Sequence, residues 1–188
     1  NIVANMQQAG VLFSTYDFRE GEETLLLPLR LYHIYAFNAC LGMLARGGHT
    51  VLVPNPRDLK SLVAAFRNSG CTGFAGLNTL FVAWCNDADF RAGDFSRLKL
   101  TMSGGMALTM AAAGRWKEVT GVEIVEGYGM SETSPVISVN PVNANRLGTI
   151  GIAVPSTEVR IVDDNGNEVA AGEPGELVVR GPQVMLGY

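Results

Sequence analysis

Between Thr24 and Val125 the chain alternates short apolar runs with segments of helical spacing, and this alternation constrains the fold more than any single motif does. Thr24-Leu-Leu-Leu-Pro28 is a continuous apolar run of the kind that forms a strand buried on both faces, ended by the proline. Residues 29–35 lead into a helix over 36–45, closed by Gly47-Gly48. Residues 49–53 are the next β-branched run. Asn55-Pro56 then supplies a cap and a proline suited to the first helical position, and Leu59, Leu62, Val63 and Phe66 form one apolar face before Gly70. The unit repeats as strand 71–75, turn 76–79 and helix 80–84, and again as strand 98–102, turn 103–106 and helix 107–119. A last run, 122–125, delivers the segment Glu126-Gly-Tyr-Gly-Met-Ser-Glu-Thr-Ser-Pro135. Strands alternating with helices in this way imply right-handed βαβ crossovers, so the expected class is α/β, a mainly parallel sheet with flanking helices.

Both ends depart from this repeat. Ile2, Val3 and Met6 have helical spacing and stop at Gly10, the tail of a helix, while 13–23 is polar and mixed and reads as a surface connection. Beyond Asn140, 146–155 is glycine-rich, 158–162 alternates polar and apolar, Asp163-Asp-Asn-Gly166 is a hairpin turn and 176–179 is a short strand. The expected division is therefore 1–145 as an α/β subdomain and 146–188 as the start of an antiparallel, β-barrel-like subdomain. A chain of 188 residues, 47% of them hydrophobic, suffices for one well-buried domain and the beginning of another. The missing initiator Met and the abrupt Gly187-Tyr188 end suggest a fragment of a longer protein.

A net charge of −4 and the absence of a Lys/Arg block argue against nucleic acid as a partner. Cys40, Cys71 and Cys85 are odd in number, far apart and set in apolar segments, as buried reduced thiols of a cytoplasmic protein would be. The apolar run 25–44 is interrupted by Pro28, Arg30, His33 and Asn38 and falls short of a transmembrane span. The amino end lacks the basic flank and apolar core of a signal peptide.

Parallel strands end on one edge of their sheet, so the turns at 29–33, 76–79, 103–106 and 127–133 should gather there. Three of the four combine glycine with a hydroxyl or amide, which suits backbone N–H groups that approach a phosphate or a planar base. The last is the densest. Glycines flank Tyr128, three hydroxyl residues follow, and Glu132 is a hard oxygen ligand of the kind Mg²⁺ accepts beside phosphates. A ring, hydroxyls and a carboxylate together suit a nucleotide, although the same residues also make ordinary turns. His33, alone among aromatics, reads from spacing as a structural residue. A P-loop, a three-glycine dinucleotide fingerprint, Gly-x-Ser-x-Gly and Cys-x-x-Cys are all absent. Asp163–Gly166 lacks a calcium loop's ligand pattern.

The segment 126–135 resembles the Tyr-Gly-x-Thr-Glu signature of adenylate-forming enzymes. Leu27-Pro-Leu-Arg-Leu-Tyr-His-Ile-Tyr35, Ser103-Gly-Gly-Met-Ala107, Gly148-Thr-Ile-Gly-Ile-Ala-Val-Pro155 and the run from Gly175 to Tyr188 resemble other blocks of that superfamily, in order, and most resemble bacterial long-chain fatty-acid–CoA ligases. The resemblance implies a two-step reaction in which a long-chain fatty acid and ATP form an acyl-adenylate, and CoA then displaces AMP. Carried over by motif position, Tyr128 lies against adenine, Glu132 binds Mg²⁺ and Thr133 contacts the α-phosphate. By the same reading Gly104, Gly105 and Gly127 line the cleft with Gly129, Met130 and Ser131, His33 stands near the reacting carboxylate, and Asn78 and Thr79 lie near the acyl tunnel. Ser131 stands where the family often has threonine, and Arg30 beside the His33 block is a departure. The family's phosphate loop, ribose-binding aspartate and carboxyl-terminal catalytic lysine are expected outside this chain, so the isolated fragment is expected to be inactive. For a full-length enzyme of lipid substrates the resemblance adds peripheral contact with the inner membrane as an alternative to a purely cytoplasmic place, although no strong basic amphipathic helix is present. Another adenylating enzyme, acting on medium-chain or aromatic acids or loading a carrier protein, and a non-catalytic nucleotide-binding module are the alternatives.

Overall fold

The computed structural model describes residues 1–13 and 17–188. Five parallel strands form the centre of the sheet, each generated by one of the apolar runs. They are β1 (Thr24–Leu27), β2 (His49–Leu52), β3 (Gly73–Gly76), β4 (Leu100–Ser103) and the first half of β5 (Ile124–Gly129). β6 (Val136–Val139) and β7 (Ile152–Ala153) add to this sheet antiparallel, giving the seven-stranded order β2-β1-β3-β4-β5-β6-β7. β8 (Glu158–Val162) and β9 (Glu176–Arg180) pair as a separate antiparallel sheet. Mainly parallel α/β architecture with a following antiparallel element is thus what the chain adopts. Antiparallel pairing begins at β5–β6, ahead of residue 145, and the second sheet begins only at Glu158.

Helices cover both faces of the sheet, and residue alternation on the strands decides which. Leu26 of β1 faces a core shared with α3 (Leu59–Ser69), α4 (Asn78–Asn86), α5 (Ala88–Arg91) and α6 (Met110–Thr120). Its neighbours Leu25 and Leu27 face the other way, onto Ala36, Ala39 and Met43 of α2 (Ile34–Ala45). The larger core is aromatic: Phe74 stacks on Trp84 with ring centroids 4.4 Å apart and on Trp116 at 5.5 Å, with Phe66, Phe81 and Phe90 around them. Such pairs add roughly 0.5–1.5 kcal/mol each beyond their buried area. The indole of Trp116 donates to Thr101 Oγ1 at 3.1 Å, so the ring's polar end is satisfied inside the core.

Several boundaries differ from the sequence reading, each for a local reason. The first helix, α1 (Ile2–Phe13), runs on past Gly10. Gly10 is buried, and a Cβ there would overlap the guanidinium of Arg46 from the end of α2, so this glycine makes room rather than ends a helix. Of the expected surface connection at 13–23, residues 14–16 lie outside the described residues, and Glu23 is buried. Asn55-Pro56 does not cap α3. Asn55 Oδ1 accepts from Arg57 N in its own turn, and the helix starts three residues later under Asp58, which accepts from Ser61 N at 3.2 Å. Gly70 and Gly121 end α3 and α6 in the left-handed conformation, as the sequence suggested.

The second half of β5 is the largest difference. The strand continues through Gly127-Tyr-Gly129, because Gly127 and Tyr128 pair with Val139 and Ser138. The turn therefore spans 130–135, and its left-handed residue is Ser134, at φ +62°. Further on, Asp163 O accepts from Gly166 N at 2.9 Å, closing the turn after β8.

Candidate functional site

Where β1, β4 and β5 end, a cavity of about 400 Å³ opens at the carboxyl-terminal edge of the sheet. Three of the four expected turns meet there. His33 comes from the first, Ser103, Gly104 and Gly105 from the second, and Gly127 to Ser131 from the third. Residues 76–79 contribute nothing to the lining. The rest of the wall is mostly apolar, with Ile34, Tyr35, Met102, Val136, Val139 and Ile152 among its residues, together with the polar Asn140.

Each lining group is held by its element. His33 caps α2, its Nδ1 accepting from Tyr35 N at 3.2 Å, so the neutral ring carries its proton on Nε2. The same ring lies beside Gly105, whose φ of +81° demands glycine. Burial holds the Tyr35 phenol well above its ordinary range, and its hydroxyl donates to the Met102 carbonyl at 3.4 Å, so it is a neutral wall. Tyr128 lines the cavity and is 37% exposed. Gly129 packs so tightly on Pro135 that a Cβ would overlap the Pro135 carbonyl oxygen. Its role is close approach, with the backbone extended.

The turn after β5 distributes its polar groups unevenly. Ser131 and Met130 line the cavity. Thr133 is buried beneath it; its hydroxyl accepts from Met130 N at 3.1 Å and lies within bonding reach of the Met130 and Pro135 carbonyls. Glu132 points toward the chain's last segment. Its Oε1 accepts from the Tyr188 hydroxyl at 2.7 Å, its carbonyl accepts from Met185 N at 2.8 Å, and the Tyr188 bond holds its carboxyl below the usual range. Asn78 and Thr79 stand apart from the cavity. Asn78 Oδ1 accepts from both the amide and the hydroxyl of Thr109, tying the start of α4 to the cap of α6, and Thr79 is exposed on α4.

Three other residues shape the site: Asn140 lies outside the quoted motif blocks, while Glu126 and Gly151 stand inside them without an assigned role. Asn140 donates to the carbonyls of Glu126 and Thr149 and accepts from Arg146 N, fixing the loop that brings β7 alongside β6. Gly151 lies against Val139, where a Cβ would overlap the backbone. Buried Glu126 accepts from Leu108 N at 2.9 Å, which aligns the turn after β4 with β5. The sequence signal was faint: polar residues inside apolar or glycine-rich runs, where a surface loop is the simpler reading.

No helix among the described residues is long and apolar enough to cross a membrane. Cys40, Cys71 and Cys85 are free thiols, and burial pushes that of Cys71 up to about 11.

A cavity at the carboxyl-terminal edge of a parallel sheet, walled by glycine turns and an aromatic strand end, defines an open-sheet α/β domain with its cleft where such sheets place their ligand sites. The chain belongs to the AMP-binding enzyme family, whose family model matches residues 1–188. It is 44% identical over 190 residues to a long-chain-fatty-acid–CoA ligase of Escherichia coli O157:H7, a match covering all of this chain and 34% of that protein. Among solved structures, anthranilate CoA ligase AuaEII in complex with anthranoyl-AMP superposes at a TM-score of 0.85 with 27% identity, over 96% of this chain and 35% of that one. ATP-bound MatB from Rhodopseudomonas palustris superposes at 0.86 with 25% identity, over 100% and 36%. The chain therefore spans about a third of the length of the curated relatives it matches.

Proposed function

We propose that this chain is the central part of the adenylating domain of a long-chain fatty-acid–CoA ligase. The observation that carries the reading is the cavity in which His33, Ser103 to Gly105 and Gly127 to Ser131 converge, in a chain 44% identical throughout to a protein of that name. In the reaction, a carboxylate oxygen of the fatty acid attacks the α-phosphorus of ATP and pyrophosphate leaves. The CoA sulfur then attacks the acyl carbon and AMP leaves, giving the thioester.

Such transfers depend on positioning and on neutralising developing charge rather than on a protein nucleophile. Tyr128 offers a ring face to adenine, and Gly104, Gly105, Gly127 and Gly129 let main chain and ligand approach. Ser131, which lines the cavity beside Met130, faces the phosphate end. The Nε2 proton of His33 faces the acid's carboxylate across Gly105, and the apolar wall from Ile34 to Ile152 suits an acyl chain. Thr133 holds the turn; its contact with the α-phosphate would use the hydroxyl that bridges Met130 and Pro135. Among the described residues no three His, Cys, Asp or Glu side chains converge. One carboxylate suits Mg²⁺, which keeps several waters and takes other ligands from phosphates. Glu132 does not line the cavity here and accepts from the Tyr188 hydroxyl, so it would hold that ion only on turning from Tyr188 toward the cleft; the ion would supply neutralisation of phosphate charge. Free thiols suit the cytoplasm, and peripheral contact at the inner membrane is consistent with a lipid substrate.

The test is acid-dependent exchange of pyrophosphate into ATP by the full-length protein, across acids of different length. Exchange with long-chain acids, reduced at least about tenfold in Tyr128→Ala by loss of base stacking, is the expected outcome. Exchange only with aromatic acids would favour the second reading, for which the AuaEII likeness speaks. No exchange with any acid would leave a nucleotide-binding module.

A further inference from the structure

Two buried asparagines far from the motif in sequence grip the turn that follows β5. Asn5, in α1, is fully buried, and its amide pairs with the main chain of Val136 in both directions: Oδ1 accepts from Val136 N at 2.9 Å and Nδ2 donates to Val136 O at 2.8 Å. Asn38, in α2, is 5% exposed and donates to Ser134 O at 2.8 Å. These side chains give the turn the bonds that a neighbouring strand would otherwise give. The residues they hold border the cavity, since Pro135 and Val136 line it and Met130 N closes the turn on Pro135 O at 3.0 Å. α1 is itself tied down. Gln8, one turn after Asn5, donates to Pro155 O at 2.7 Å and to Gln183 Oε1 at 3.1 Å, and fully buried Gln183 donates to Thr157 Oγ1 at 2.7 Å.

Burying several amides is costly unless every one is bonded, and an apolar layer would stabilise the same interface at lower cost. A satisfied polar layer specifies one geometry instead. Resting on the nucleotide reading above, we propose that Asn5 and Asn38 are positioning residues for nucleotide binding, fixing the turn that presents Met130 and Ser131 to the ligand. Neither touches the ligand; both act through the main chain of Ser134 and Val136.

The test is ATP affinity by titration calorimetry in the full-length protein, alongside thermal unfolding. Asn5→Leu and Asn38→Leu keep side-chain volume but orphan buried backbone groups, so each is expected to weaken ATP binding about tenfold, the size of one lost buried bond. Asn38→Ala removes the same donor without bulk and serves where a leucine variant does not fold. Gln183→Leu, in the same polar layer but bonded to Gln8 and Thr157 rather than to residues 134–136, is expected to lower the unfolding temperature with less than about a twofold change in ATP affinity. Wild-type affinity in a folded Asn38 variant would overturn the proposal. So would a loss of affinity that merely follows the loss of stability in all the variants, Gln183→Leu included. If wild type binds ATP and Tyr128→Ala does not, the nucleotide reading stands whatever the asparagines do; if wild type binds none, that reading falls and the proposal with it.

Discussion

At the scale of single residues, the glycines of this chain do different work and should respond differently to the same methyl group. At Gly129 a Cβ would overlap the Pro135 carbonyl, a backbone atom that cannot swing aside, so the strand and the turn must separate. Gly129→Ala is expected to destabilise by about 1–3 kcal/mol, as overpacking does, and to weaken nucleotide binding with it. Gly114, exposed on α6, has nothing within 4 Å of a Cβ. Gly114→Ala removes backbone freedom from the unfolded chain and is expected to stabilise by about 0.5–1 kcal/mol. Urea midpoints of the two variants test the pair, and equal shifts of the same sign would refute this account. Sequence alone marked Gly127 and Gly129 as special without saying whether φ or space was the reason. The extended backbone of β5 makes space the answer at Gly129.

At the scale of elements, the sheet keeps its chemistry on one edge and an electrostatic clasp on the other. Glu23, just before β1, pairs with Lys99, just before β4, at 2.8 Å, and Thr72 lies between them at the head of β3. Burial alone would raise the Glu23 carboxyl, but the bonds from Lys99 and Arg19 N, with the Lys99 charge, outweigh it and hold it below its ordinary 4.5. A carboxylate so depressed contributes stability that is present above its unfolded-state value and lost as pH falls through its folded one. Lys99→Met would leave a buried anion without its cation and is expected to cost about 2 kcal/mol at neutral pH. Because the carboxyl then protonates readily, the deficit should shrink on acidification to about pH 4. Unfolding midpoints at both pH values test this, and a deficit that grows with acid would contradict it. The run 13–23 offered only a polar stretch; that its final residue is buried depends on a lysine 76 residues later, which no local pattern encodes.

At the scale of the whole molecule, the described residues form the walls of a cavity, and the proposed ATP site would need cationic groups in addition to grip a triphosphate. Among the described residues, those that line the cavity include no Lys or Arg. The isolated chain is therefore expected to form no thioester from fatty acid, ATP and CoA and to bind ATP weakly at best, while the full-length protein does both. Release of AMP measured for each is the check, and robust turnover by the isolated chain would refute the expectation.

What the sequence determined by itself was the local part of this architecture: which runs are strands, which segments are helices, that the sheet is mainly parallel, and that its glycine-bearing turns share an edge. Those features follow from side-chain periodicity of two or 3.6 residues and from turn chemistry, which any short window displays. Tertiary structure alone decided that β6 and β7 extend the main sheet, that 76–79 stays off the cavity, and that Thr133 lies beneath its turn. It also joined Asn5 to Val136 across 131 residues. Such contacts leave no periodic trace, because a buried amide bonded to a distant carbonyl has the same sequence signature as a polar residue facing water.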